Sequence, residues 1–344
     1  MLAVHGHFPL WSELVDVTRA HLDYRGAGNN NGRMVTHLGT KGTTMNKSKD
    51  MVWITIAYVL ALFTSGASLY LLNQGPLLNG LMAAAIAMLV IFAFSRCFKN
   101  SSFFDAYWSL IPPLLALYWL VNGNHIAPPG RELLVLALIL FWATRLTLNW
   151  ACYWEGMQHE DWRYRMLKDN SGRLELLVDF FGIHCFPMLL VLLALLPVYA
   201  VYCLGERPLG WLDAVATGVT TGAVLLEMLA DLQLHRFIQQ RKPGEQLDHG
   251  LWAWSRHPNY FGEIGFWFGL LLFGLAAYPE GWYWQIIGFI AMTAMFVFAS
   301  IPTMERRSLE RRPDYQQIID SVSMLVPLPP RRKTPETAQQ PQYQ

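Results

Sequence analysis

From Val52 to about residue 302 the chain alternates long apolar runs with short polar breaks. A bilayer core about 30 Å thick takes roughly 20 helical residues to cross. Runs of that length fall at about 52–73, 78–97, 104–122, 132–151, 179–204, 209–237, 260–278 and 282–302. The pattern predicts an all-α polytopic helical membrane protein with about eight transmembrane helices. In the run at 104–122, Pro112 and Pro113 remove helix hydrogen bonds and would kink or break the helix. Residues 1 to about 50 have no sustained apolar period and carry Gly-Ala-Gly-Asn-Asn-Asn-Gly at 26–32. They read as a polar, disordered extension in which Met45 is a natural start, followed by a membrane domain over 51–330 and a tail over 331–344. The first hydrophobic segment is too long for a cleavable signal and lacks a small-residue cleavage site.

Composition agrees with the pattern. Hydrophobic residues make up 53% and charged residues 15%, against about 25% charged in soluble domains. Placement of charge adds more than its sum of +1. With a cytoplasmic N-terminus, all of the 26 Lys and Arg except Arg131 and Arg207 fall on the cytoplasmic side. This is the positive-inside bias, and it puts both termini in the cytoplasm together with the long connections at 150–178 and 238–259. No basic stripe with interleaved aromatics points to nucleic acid. Cys97, Cys152, Cys185 and Cys203 are scattered without metal-ligand spacing and read as small core residues, so no metal site is expected.

Against this apolar background the polar residues inside spans stand out, since intramembrane ionisable groups are expensive and default to a functional hypothesis. Glu227, Asp231 and His235 recur every fourth residue and share a helix face. The competing reading is a structural pair that bonds helices together. Further on, Ser255-Arg256-His257-Pro258-Asn259-Tyr260-Phe261-Gly262-Glu263 leads straight into an apolar helix, with Asn259 and Glu263 again four apart. Pro258 suits a first helical position, and a helix start offers free N–H groups to an anion. Carboxamide and carboxylate groups suit an amide or a ribose hydroxyl, whereas Arg256 and His257 suit phosphate. Capping and helix–helix bonding are the bland alternative. Arg241 and Lys242 either meet phosphate or only set topology.

The run Ser-Arg-His-Pro-Asn-Tyr-Phe-Gly-Glu resembles the C-terminal signature of the steroid 5α-reductase superfamily, and its core is similar to that of the sterol C14 and C7 reductases. The longer pattern includes Leu247-Asp248, Gly250-Leu251-Trp252 and Met304-Glu305. It resembles the mostly bacterial branch of that superfamily known only as a domain of unknown function. The resemblance covers about residues 52–330 and is strongest from 225 on. It implies a membrane reductase that holds NADPH in a cavity open to the cytoplasm and delivers hydride to a conjugated carbon–carbon double bond. By motif position, Asn259, Glu263 and Asp231 take cofactor-binding roles, and Glu227 stands where the steroid enzymes have Asn. Tyr260 lies within the same signature. Arg145 resembles an arginine that reaches the cofactor from an earlier helix, and Arg163, Arg241 and Arg256 are candidates for its phosphates. The His and Tyr that precede the final Asp-Tyr of the steroid enzymes have no counterpart before Asp314-Tyr315, and the residues that hold the steroid carbonyl find no match.

An enone reductase also needs a donor that polarises the substrate carbonyl, typically Tyr or a protonated carboxyl in a dry site. Asp105 and Tyr107 are the candidates, against an interfacial anchor role of equal weight. His159-Glu160-Asp161-Trp162-Arg163-Tyr164 reads as a cofactor-side loop or lid. Two other functions compete with the reductase. One is an S-adenosylmethionine-dependent methyltransferase of the isoprenylcysteine or phospholipid type, whose signature also contains Arg-His-Pro-x-Tyr. The other is a non-enzymatic lipid-binding membrane protein. The expected partners are the bilayer and a hydrophobic substrate drawn from it, in a bacterial inner membrane or, in a eukaryote, the endoplasmic reticulum.

Overall fold

The structure is a computed structural model and describes residues 40–123, 130–242 and 245–330, with side chains from residue 47 onward. Residues 1–39 of the extension expected over 1 to about 50, and the tail at 331–344, lie outside the described residues. Among the described residues every regular element is helical. Eight helices are long and apolar enough to cross a membrane: Lys47–Leu71, Pro76–Phe98, Ser101–Asn122, Gly130–Tyr153, Gly172–Ala194, Trp211–Gln240, Pro258–Ala277 and Pro279–Arg311. Each overlaps one of the eight apolar runs.

The chain forms two compact units. The first comprises the described residues up to Asp213 together with Leu270–Gly288. Its helices are α1 (Thr40–Leu71), α2 (Pro76–Phe98), α3 (Tyr107–Asn122), α4 (Gly130–Tyr153), α5 (Trp162–Asp169), α6 (Glu175–Leu177), α7 (Phe186–Ala194) and α8 (Leu196–Cys203). The second comprises Ala214–Gly269 and the described residues from Phe289 on. It is built from most of α9 (Trp211–Gln240) and α10 (Pro258–Ala277), the end of α11 (Trp282–Met295), then α12 (Ile301–Arg311) and α13 (Gln316–Ser321).

Three features depart from the sequence pattern. α3 runs unbroken through Pro112 and Pro113, because packing holds it on both sides of the prolines: Trp108 packs edge-on against Trp142 of α4, and Trp119 donates to the Pro76 carbonyl at 3.1 Å. Neighbouring helices commonly stabilise a spanning helix at such a point. The run expected at 179–204 is not one helix. It widens into π-helix over Val178–Cys185, resumes as α7, and restarts as α8 after Leu195. Pro197, lacking an N–H, cannot continue the ladder of α7 and opens the next helix instead. Finally, α1 begins at Thr40, well before the apolar run. Its polar start is docked: Lys47 Nζ donates to the Cys152 carbonyl at 3.3 Å, and Asp50 accepts the Met157 N–H at 2.8 Å.

Candidate functional site

In the second unit, α9 and α10 bring together the residues singled out by their spacing. Glu227, Asp231, Asn259 and Glu263 are all buried, at 1%, 8%, 3% and 2% exposure. Pro258 starts α10, which places Asn259 in the first turn, where N–H groups lack helix partners. The Asn259 side chain accepts the Tyr260 N–H at 2.9 Å and donates to Asp231 Oδ1 at 3.4 Å. One turn on, Glu263 Oε1 accepts the Trp267 indole N–H at 2.8 Å. The two helices approach this closely because of Gly262: a Cβ there would stand 2.7 Å from Glu227 Cβ and 2.8 Å from the Ala223 carbonyl oxygen. Any larger residue would push apart the helices that carry Glu227/Asp231 and Asn259/Glu263.

The loop before α10 is fixed to α9 by Gln233, which accepts the Leu251 N–H at 2.8 Å, and by Trp252, which donates to the Ala230 carbonyl at 3.0 Å. Gly250 is required at this approach. Its φ is +60°, and a Cβ would meet Gln233 Oε1 at 2.5 Å.

Arg256 is placed differently from its expected role. Its Nε and Nη2 grip Glu305 at 2.6 and 3.3 Å, and its Nη1 donates to the carbonyls of Ile319 and Val322 at 2.9 and 2.6 Å. Four of its donor bonds therefore go to protein groups, out of the five N–H a guanidinium carries. The last two cap α13, whose final carbonyls have no helix partners. His257 Nε2 lies 3.1 Å from the same Glu305, and its ring stacks on Tyr260 with planes 9° apart. Ser255 Oγ donates to the Leu325 carbonyl, and Leu328 N–H to the Trp254 carbonyl. The residues at the mouth of α10 thus fasten the C-terminal segment. Glu305 went unassigned in the sequence because its partners are 48 and 49 residues away; its one signal was a place in the Met304-Glu305 part of the longer motif.

Arg241 follows the last residue of α9 and is half-buried. The remaining candidates belong to the first unit. Arg145 is half-buried on α4. Arg163 is held by Asp161, which also caps α5 by accepting the Arg163 N–H. Tyr107 donates its hydroxyl to the Ala84 carbonyl at 3.0 Å, and Asp105 accepts the Tyr164 hydroxyl at 2.8 Å. Burial, with the Asp105 carboxylate second, pushes the Tyr164 phenol well above its ordinary pKa and keeps it a donor. The cluster read as a lid is latched: Asn100 donates to the Met157 and His159 carbonyls, and Glu160 joins the Ser101 N–H to Lys168.

The first unit holds a further polar network that no motif announced. Asp179, in the π-helix, accepts from Arg96 at 2.9 Å and from Ser101 at 2.8 Å. His184 sits between the Asp179 carbonyl at 2.9 Å and Ser95 Oγ at 3.1 Å. Ser95, Asp179 and His184 are at most 1% exposed; these bonds tie α2 to the π-helix.

The family described as a protein of unknown function, DUF1295, matches residues 91–322. The uncharacterized protein C594.04c of Schizosaccharomyces pombe (strain 972 / ATCC 24843) is 29% identical over 280 residues, covering 74% of this chain and 80% of its own. No solved structure matches. The family match takes in both helices that carry the buried polar pairs and the Glu305 latch, and the chain belongs to DUF1295.

Proposed function

We propose that this protein is a membrane-embedded NADPH-dependent reductase acting on the conjugated carbon–carbon double bond of a steroid- or lipid-like enone. The observation that carries the reading is the buried set Glu227, Asp231, Asn259 and Glu263 on two adjoining membrane-spanning helices. Groups of this kind suit the carboxamide and ribose hydroxyls of a nicotinamide nucleoside, and burying them at membrane depth is costly without a polar partner. Asn259 is oriented by Asp231 and by its own helix turn, and Glu263 by Trp267. NADPH, when bound, would supply the hydride. Arg256 does not fit the phosphate end, with four donor bonds already made inside the protein. We assign it instead to holding the mouth of α10 in place, and leave the phosphates to Arg241, at the end of α9 in the same unit. Tyr107 and Asp105 carry no step here, since the one hydroxyl donates to a backbone carbonyl and the carboxylate accepts from Tyr164.

A second reading draws on the Arg256–His257–Glu305 latch. A membrane methyltransferase signature also contains Arg-His-Pro-x-Tyr, with S-adenosylmethionine as cofactor, but its last segment has paired Glu where this chain has Glu305 followed by Arg306. Purified full-length protein separates the two. Shifted or quenched NADPH fluorescence on binding supports the reductase, binding of radiolabelled S-adenosylmethionine supports the methyltransferase, and binding of neither leaves a non-enzymatic lipid-binding protein.

A further inference from the structure

Two arginines of the second unit stand just past the ends of membrane-spanning helices. Arg241 follows Gln240, the last residue of α9, and its N–H still reaches the Phe237 carbonyl at 2.8 Å. Arg312 follows Arg311, which ends both α12 and the span Pro279–Arg311, and its N–H reaches the Ser308 carbonyl at 2.9 Å. Consecutive spans cross the bilayer in opposite directions. With the crossing of α10 between them, α9 and α12 therefore end at one face of the bilayer, the face at which α10 begins and Asn259 stands in its first turn.

Both arginines are half-buried. Arg312 lies over the ring of Tyr315, 5.4 Å from its centroid. Such a stack fixes a guanidinium and leaves the N–H groups in its plane to other acceptors. The nearby carboxylates are engaged elsewhere: Glu305 by Arg256 and His257, and Glu245 by the Lys242 N–H. Among the described residues none pairs with Arg241 or Arg312. The two charges act on each other instead. Burial lowers the Arg312 guanidinium below its ordinary pKa, and the Arg241 charge adds to that against the opposing effect of Tyr315. A single cation at a helix end needs no ligand, since the helix dipole and the charge bias of membrane proteins both favour it. Neither cause sets a second guanidinium near the first, half out of water and with no counter-charge. An anion relieves that repulsion, and forked guanidinium donors match the oxygens of phosphate.

We propose that Arg241 and Arg312 form a binding site for a phosphate group at the bilayer surface. Two sources of phosphate fit. An acidic phospholipid carries one at this depth, where basic pockets between spanning helices take head groups. The other source is the dinucleotide, and that alternative alone rests on the reductase reading. Arg241 is ten residues past Asp231, roughly 15 Å along α9, so a cofactor with its nicotinamide end at Asp231 and Asn259 is long enough to bring its adenosine phosphate to the pair.

The test titrates full-length, detergent-solubilised protein with two probes, a fluorescent phosphatidic acid and adenosine 2′,5′-bisphosphate. Each is compared with a phosphate-free counterpart, a diacylglycerol carrying the same fluorophore and adenosine. The expected result is saturable binding of at least one phosphate probe and none of its counterpart. Arg241→Gln and Arg312→Gln should each weaken that binding about tenfold, or ~1.4 kcal/mol, while Arg306→Gln, which removes an exposed charge of α12, changes it less than about twofold. Binding of phosphatidic acid marks the lipid source and binding of the bisphosphate the dinucleotide, and either supports the site. Binding of neither overturns it. So does binding undiminished in both variants, or an equal loss in Arg306→Gln, which marks diffuse attraction to a basic surface. Thermal midpoints check the folding of the variants. Should Arg312→Gln fail to fold, Arg312→Lys, which keeps the charge but not the fork, is expected to bind more weakly than the wild type. The phosphatidic acid titration involves no nicotinamide, so a failed reductase reading leaves it standing, and NADPH bound equally by wild type and both variants, with neither probe bound, would sink the site and spare the reductase.

Discussion

Two buried arginines, one in each unit, are held in nearly the same way. Arg131 grips Asp213 through Nε and Nη2 at 2.6 and 2.8 Å and donates to the carbonyls of Arg207 and Pro208. Arg256 grips Glu305 and donates to the carbonyls of Ile319 and Val322. Each pairs one carboxylate and closes one chain segment. Only Arg256 belongs to a recognisable motif, yet its bonding is that of Arg131, which belongs to none. The difference lies in the surroundings: Asp213 also accepts the Gly210 N–H and closes a local turn, whereas Glu305 is shared with His257, which stacks on Tyr260 next to Asn259. One arginine staples a turn, and the other braces the mouth of the helix that carries the candidate site.

The largest expected effect tests that parallel. Removing one partner of a buried ion pair costs about 3–5 kcal/mol, so Arg131→Met and Arg256→Met should both lower the thermal midpoint of detergent-solubilised protein substantially. Arg256→Met alone should also speed tryptic cleavage after Arg311, because its bonds hold the segment that follows. Equal trypsin cleavage there in both variants would break the comparison. Arg256→Lys sharpens it: the charge remains but the fork is lost, and the cost should be about 1.5–3 kcal/mol, the range for hydrogen bonds to charged groups. Smaller still is Tyr107→Phe, which removes one hydroxyl bond to a backbone carbonyl and should cost about 1 kcal/mol with no selective loss of turnover. A fall in kcat with unchanged stability would return Tyr107 to the list of catalytic groups.

The smallest effect is in alkali. Burial, reinforced by the Glu305 carboxylate, pushes the Tyr315 phenol up to about 12, against about 10 in an unfolded chain. A raised folded pKa means that the contribution is whole below the unfolded value and disappears as pH climbs through the folded one. The thermal midpoint should therefore drop more steeply between roughly pH 10 and 12 in the wild type than in Tyr315→Phe. Parallel curves would show that this phenol contributes nothing to holding the C-terminal segment.

The eight spans were legible because bilayer thickness imposes one length on every crossing helix, and the lengths at 76–98 or 130–153 need no tertiary information. The break at Leu195 and the π-helix before Pro187 were not, since an all-apolar stretch has the same pattern in either conformation. The start of α1 was missed for another reason: the partners of Lys47 and Asp50 lie more than a hundred residues on, at Cys152 and Met157. The site divides in the same manner. Glu227/Asp231 and Asn259/Glu263 were readable from helical spacing, a local property. The engagement of Arg256 with Glu305 and α13 is purely tertiary, and residue type alone suggested phosphate.

The most direct test of the central claim, that the buried set on α9 and α10 holds a nicotinamide cofactor, is titration of full-length wild type, Asn259→Ala and Glu263→Gln with NADPH, followed by its fluorescence. The expected result is saturable binding in the wild type, weakened about tenfold or more in each variant, a loss of ~1.4 kcal/mol, with thermal midpoints showing all three folded. NADPH affinity that is the same in all three folded proteins would contradict it.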